Sequence, residues 1–149
     1  LMMNTEIVTS IQEGYKLIII VVENGGFQSI HGLQTSSGTP SFGNELRYRD
    51  AKTGRLDGEY LSIDYATNGA SLGAIAYKAT DEASLREALE KARQADRTVV
   101  IHAVVDPAVR VPDYESWWDV PIAEVSGEAS VQQARAAYEE ARRKQRFYY

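Results

Sequence analysis

The stretch Lys16-Leu17-Ile18-Ile19-Ile20-Val21-Val22-Glu23-Asn24-Gly25-Gly26-Phe27 decides the fold. Its first seven residues form a short, continuous, β-branched run, the pattern of a parallel strand covered on both faces. An asparagine and two glycines then end the run. On the amino-terminal side, Met3, Ile7 and Ile11 recur at i, i+4 and i+8 with Val8 beside them, so a helix precedes the strand. Asn4 or Thr5 can cap that helix, and Gly14 can end it in the left-handed conformation. Helix, tight turn, buried strand and polar glycine loop make a piece of a doubly wound, mostly parallel α/β sheet flanked by helices.

Carboxy-terminal to the loop, residues 29–61 show little periodicity. Ser36 to Ser41, Asp50 to Gly54 and Asp57-Gly58 are loop and turn chemistry. So long a stretch is too much for a plain connector and implies a functional excursion. Asp64 to Leu72 then reads as a helix ending near Gly73, and Ala74 to Lys78 as a strand. Thr80-Asp81 caps a helix that turns Leu85, Ala88, Leu89 and Ala92 inward, with Glu82–Arg86 and Glu87–Lys91 paired on its wet side. Thr98 to Val105 is a second buried-type strand, closed by Asp106-Pro107. Residues 1–106 are thus expected to be one domain. Residues 107–149 follow as an arm, aromatic and proline-bounded from Val111 through Trp117-Trp118 to Pro121, and a last helix over Ala129 to Arg146. That helix places Val131, Ala134, Tyr138 and Ala141 on one stripe and pairs Glu139 with Arg143 and Glu140 with Lys144.

The chain has 149 residues, 44% apolar and 25% charged, which suits an ordinary globular domain. A net charge of −5 gives no basic field for nucleic acid or anionic lipid. An anionic ligand must instead be held by a metal ion or by backbone N–H groups. There is no cysteine, which excludes disulfides, thiolate metal sites and cysteine nucleophiles. The apolar run of Leu17 to Val22 is far short of the ~20 residues that span a bilayer. A cytoplasmic protein is expected. Because the chain starts inside what reads as a helix, a piece of a longer protein is expected too.

In open α/β sheets ligands sit beyond the carboxyl ends of the strands, where Asn24 falls. An amide oxygen is a hard neutral ligand suited to Mg²⁺ or Ca²⁺, and glycines at 25 and 26 free backbone carbonyls to join it. The same tetrapeptide read alone is more simply an ordinary turn. His31, just after the loop, is a candidate acid or base. His102 lies within a strand and reads as a satisfied core histidine. Trp117-Trp118 reads as packing of the arm rather than a binding surface. Ser37 to Ser41 resembles a phosphate loop in composition alone. Arg47, Arg49 and Arg55 read as exposed turn arginines more simply than as an anion site.

Leu1-Met2-Met3-Asn4-Thr5-Glu6, then helix, strand and Glu23-Asn24-Gly25-Gly26-Phe27, resembles the second half of the thiamine-diphosphate motif. In that family a Gly-Asp-Gly opens the motif and an asparagine closes it; here the opening part is expected a few residues before Leu1. The resemblance implies Asn24 as side-chain ligand and Gly26 as carbonyl ligand of Mg²⁺, which anchors the cofactor's diphosphate. It places Met2 and Met3 beside the cofactor, at a helix whose amino terminus points at the site. Ser29-Ile30-His31-Gly32-Leu33-Gln34, Arg47-Tyr48-Arg49-Asp50, Gly54-Arg55-Leu56-Asp57-Gly58 and Tyr114-Glu115-Ser116-Trp117-Trp118-Asp119-Val120-Pro121 are similar to one branch, the trihydroxycyclohexane-1,2-dione hydrolases of myo-inositol breakdown. Glu23 and Gly25 depart from it, standing where relatives often show Asp and His. The branch implies hydrolysis of a C–C bond in a cyclic diketone, an activating glutamate on another domain, and a homo-oligomer of at least two subunits. An acetolactate synthase or decarboxylase relative, and a non-catalytic interaction domain of the same fold, are the alternatives. A flavodoxin-like nucleotide binder would need a phosphate loop that Glu23-Asn24-Gly25-Gly26 does not make.

Overall fold

The two continuous apolar runs pair with each other. Strand β1 (Ile18–Glu23) lies parallel to β3 (Val99–Val104), with Ile18 opposite Val99 and Val22 opposite Ala103. Strand β2 (Ile75–Ala79) pairs parallel on the other side, giving a three-stranded sheet in the order β1-β3-β2. The computed structural model describes residues 3–109 and 118–146. These fall into two compact units, one built from residues up to Asn24 with Leu61–Val109, the other from Gly25–Tyr60 with the carboxy-terminal residues.

In the first unit, alternation along β3 sorts two cores. Val99 and Ile101 face α4 (Glu82–Gln94) and pack with Ala79, Ala88 and Ala92, backed by Leu85 and Leu89. Val100 faces the opposite way, against Ile7 and Ile11 of α1 (Glu6–Gln12), Leu72 after α3 (Tyr65–Ser71), and Ala74. Helices thus cover both faces of the sheet, as a doubly wound fold requires. Helix α4 starts where the sequence caps it. The Asp81 side chain accepts from the Ser84 N–H, and Ser84 Oγ accepts in return from the Asp81 N–H. The Glu82–Arg86 and Glu87–Lys91 pairs are present on its exposed side.

The fully buried Thr98 ties α1 to both strands. Its hydroxyl accepts from the Leu17 N–H, lies 2.8 Å from Ser10 Oγ and 3.2 Å from the Tyr15 carbonyl. Helix α1 starts after Thr5, the second of the two caps the sequence offers, so Met3 lies before it and not on its face. Met3 has φ 61, outside helical geometry, and Thr5 occupies the cap position without a side-chain bond. Gly14 follows the helix with φ 70, the left-handed turn expected of it.

Strand β1 is not covered on both faces. Ile19 and Val21 pack inward, whereas Ile18, Ile20 and Val22 are 41%, 45% and 57% exposed. The strand is one of the sheet's two borders, and α4 covers β2 and β3 on that face.

The second unit holds α2 (Gln28–Ser36), a pair of isolated antiparallel bridges, Gly26 with Glu45 and Arg47 with Tyr60, and α5 (Ala129–Lys144). Helix α2 occupies a stretch with no clear helical signal in the sequence, because none of its residues is buried. In α5, Val131 and Tyr138 are buried as the stripe requires, and the Tyr138 hydroxyl donates to Asp119. Glu140 pairs with Lys144 as expected. Glu139 pairs with Arg135 rather than Arg143, because Arg135 is held beside it by the Ile122 carbonyl. Trp118 is 63% exposed, and its neighbour Trp117 lies outside the described residues. No helix among the described residues is long and apolar enough to cross a membrane.

Gly69 sits where α3 meets the sheet, and a Cβ there would lie 2.8 Å from Val100 Cβ. Gly69→Ala is expected to lower stability by about 1–3 kcal/mol through overpacking, read as a shift in denaturation midpoint.

Candidate functional site

Asn24 follows β1 directly, at the carboxyl end of a parallel strand, so the sequence places it where such sheets collect ligands. It is the last residue of the first unit, and Gly25 opens the second. Gly25 and Gly26 take φ values of 77 and 154, which L side chains rarely adopt. Gly26 forms its bridge with Glu45 as the non-bonded member of the pair: the flanking bonds run from Leu46 N–H to the Gly25 carbonyl and from Phe27 N–H to the Asn44 carbonyl, each 2.7 Å. The Gly25 carbonyl is therefore engaged. Among the described residues the Gly26 carbonyl and the Asn24 amide accept no hydrogen bond.

Beside the glycines, within the second unit, lies a polar cluster. Glu45 accepts hydrogen bonds from the Tyr60 hydroxyl, from Arg47 at 3.2 Å and from Ser41 at 2.9 Å. The Arg47 guanidinium stacks 3.7 Å from the centre of the Tyr60 ring and donates to the Gly58 carbonyl. Arg47 is thus a half-buried, paired residue and not an exposed turn arginine. Burial pushes the Glu45 carboxyl up, but the bonds from Tyr60, Arg47 and Ser41 outweigh it and hold the group at about 2. Burial and the Glu45 bond both push the Tyr60 phenol up, so it keeps its proton and donates it. Sequence reading missed Glu45 and Tyr60. Its one available signal was the opposite charges at Glu45 and Arg47, which an extended backbone puts on one side.

His31 lies in α2, half-buried, with Nδ1 3.4 Å from Ser41 Oγ. Met3 is 73% exposed beside the start of α1, and Met2 lies outside the described residues. A cavity of about 170 Å³ opens between the start of α1 and α3, floored by Ile19 and Val21. That is smaller than the ~300–1,000 Å³ of a typical ligand site.

His102 is buried, as expected, but it is not satisfied. Neither ring nitrogen finds a hydrogen-bond partner among the described residues, and Asp64 Oδ1 stays 4.0 Å away. The edge of Tyr65 packs against the ring. Burial, then the Lys78 charge, hold the imidazole below its ordinary value against the pull of Glu23 and Asp64.

No cluster of three His, Asp or Glu side chains able to hold a metal occurs among the described residues. What the loop offers is narrower: one amide side chain and one unengaged carbonyl, both hard oxygen donors suited to Mg²⁺ and insufficient to complete its octahedron. Residues 1–103 match the family described as thiamine pyrophosphate enzyme, C-terminal TPP binding domain. The chain belongs to that family. It is 43% identical over 138 residues to 3D-(3,5/4)-trihydroxycyclohexane-1,2-dione hydrolase 1 of Bacillus cereus (strain ZK / E33L) and 41% identical to hydrolase 2 of the same strain. It is 42% identical to the hydrolase of that name from Bacillus anthracis. Each alignment covers 93% of this chain, which spans 21% of the length of these relatives.

The buried imidazole sets a pH dependence. The unfolded histidine binds a proton near pH 6.5, and folded His102 refuses it until the pH is lower. Stability is therefore expected to fall as pH drops below 6.5. Urea midpoints measured across that range should show a shallower acid-side slope in His102→Leu.

Proposed function

We propose that this chain is the diphosphate-anchoring part of a thiamine-diphosphate-dependent hydrolase that opens the ring of trihydroxycyclohexane-1,2-dione to 5-deoxy-glucuronate in myo-inositol catabolism. The observation that carries the substrate assignment is the 41–43% identity to proteins of that name across 93% of the chain. The asparagine loop alone supports the cofactor class and selects no substrate. Residues 1–106 supply the anchoring domain, and residues 107–149 its carboxy-terminal arm and helix. The working enzyme is a cytoplasmic homo-oligomer.

In this reading Asn24 binds Mg²⁺ through its side-chain oxygen and Gly26 through its carbonyl. The metal in turn holds the cofactor's diphosphate, with Met2 and Met3 alongside. Bound thiamine diphosphate supplies the nucleophilic carbon that attacks a ketone. This chain's own residues hold and orient. The net charge of −5 fits that division of labour, since a doubly charged metal offsets the repulsion between an acidic domain and a diphosphate. The isolated chain is expected to be inactive, and His31 is the candidate proton carrier.

The test is made in the full-length protein that carries this chain. Asn24→Ala should weaken Mg²⁺-dependent thiamine diphosphate binding by roughly 10-fold or more, measured by calorimetry over a range of Mg²⁺. The unaltered protein should consume the cyclic dione in preference to pyruvate. Undiminished binding by the variant removes the metal assignment; turnover of pyruvate alone removes the substrate.

A further inference from the structure

The loop that presents Asn24 and Gly26 contains two adjacent glycines, the residues that lose most freedom on being fixed. Left to itself such a loop would sample many orientations of its carbonyls. A metal ligand must be held close to its productive geometry, and Mg²⁺ is strict about its octahedron. Something in the second unit therefore has to fix the loop. The contacts around Gly25 and Gly26 show what does so.

Three constraints meet there and close on one another. The Gly26–Glu45 bridge engages the Gly25 carbonyl and leaves that of Gly26, so the pairing itself selects which oxygen is offered. The Tyr60 ring lies against Gly25 so closely that a Cβ would sit 2.6 Å from its Cε1. The Tyr60 hydroxyl then bonds Glu45, the residue whose backbone pairs with Gly26. Arg47 locks the ring from its other partners, stacking on Tyr60, bonding Glu45 and pairing across the Arg47–Tyr60 bridge. The Glu45 side chain is only 10% exposed. Burying an ion pair contributes little net stability compared with apolar packing, whereas it fixes geometry tightly. A half-buried ion pair, with Glu45 bonded by Tyr60, Arg47 and Ser41 and Arg47 also by the Gly58 carbonyl, beside a two-glycine loop is suited to the second task.

We infer that Tyr60, with Glu45 and Arg47, is a positioning assembly that holds the Gly25-Gly26 backbone so that the Gly26 carbonyl points at the metal. This rests on the reading of Asn24 and Gly26 as metal ligands. None of the three side chains touches the metal itself; they act through the glycines. The excursion over Gly25–Tyr60 then has a stated purpose, which is to fold back and brace the loop that begins it.

The experiment compares Tyr60→Phe, Arg47→Lys and Asn24→Ala in the full-length protein. It measures thiamine diphosphate binding by calorimetry as a function of Mg²⁺, with melting temperature alongside. Tyr60→Phe keeps the ring against Gly25 and removes the bond to Glu45. It is expected to raise the Mg²⁺ needed for half-maximal cofactor binding by roughly 10-fold or more, with binding restored at saturating Mg²⁺. A folded variant whose Mg²⁺ requirement is unchanged overturns the inference. So does one whose cofactor binding is lost at every Mg²⁺ concentration, because a defect in metal alignment is recoverable by mass action. If Tyr60→Phe does not fold, Arg47→Lys, which keeps the charge and loses the planar stacking, carries the same test. Asn24→Ala separates the two claims. If it leaves the Mg²⁺ requirement unmoved, the metal reading fails, and the inference with it; if it alone raises the requirement, the brace fails and the metal reading stands.

Discussion

Burial of β3 is the constraint on which the first unit depends. Its residues Val99, Val100 and Ile101 are all but inaccessible, and both of its edges are paired. A strand in that position can be apolar on both faces, and it must be, because water reaches neither. Once β3 is so placed, α4 is committed to one face and α1 with α3 to the other, and the carboxyl ends of β1 and β3 come out side by side. Asn24 inherits its place from that arrangement. Its position depends on the register of β1 against β3 more than on the loop that follows.

The second unit solves a different problem with different means. It has few buried apolar residues in its Gly25–Tyr60 part, and its order comes from polar contacts: an ion pair, a stacked guanidinium and two isolated bridges. Such contacts are directional where hydrophobic burial is not. They can define where a carbonyl points, which a greasy contact cannot. The strongly acidic Glu45 is a symptom of this arrangement, since three donors converge on one carboxylate.

Much of the first unit was legible because its signals are local. Asp81 and Ser84 cap a helix three residues apart in sequence, and the Leu85, Ala88, Leu89, Ala92 spacing names its inner face without knowledge of anything else. The run Ile18 to Val22 forms the strand its composition implies but lies open on one face, because a run of apolar residues reports what a strand tolerates and not what lies over it. The interior place of His102 follows from its strand, but whether its nitrogens find partners depends on Asp64 and Tyr65, which reach it from another element. At the site, Asn24 could be placed by its distance from a strand end. The contact of Tyr60 with Gly25 could not be found, because 35 residues separate them (60 − 25) and no periodicity links them. Glu139 shows the same limit in miniature: two arginines four residues away on either side were available, and a carbonyl at Ile122 decided between them.

The Thr98 hydroxyl receives the Leu17 N–H across 81 residues, while the Ile75 N–H reaches the Thr98 carbonyl across only 23 (98 − 75). Closing a flexible loop costs chain entropy that grows only as the logarithm of its length. Joining β1 to β3 is therefore dearer than joining β2 to β3 by about 1 kcal/mol, although the intervening chain is more than three times as long. Most of that difference is the segment Gly25–Tyr60. A sheet so connected can carry a long insertion between its first two strands for little more than the free energy of one surface hydrogen bond. The framework leaves the excursion's length and sequence almost unconstrained, so changes there are limited by what the loop must hold and scarcely by whether the sheet still forms.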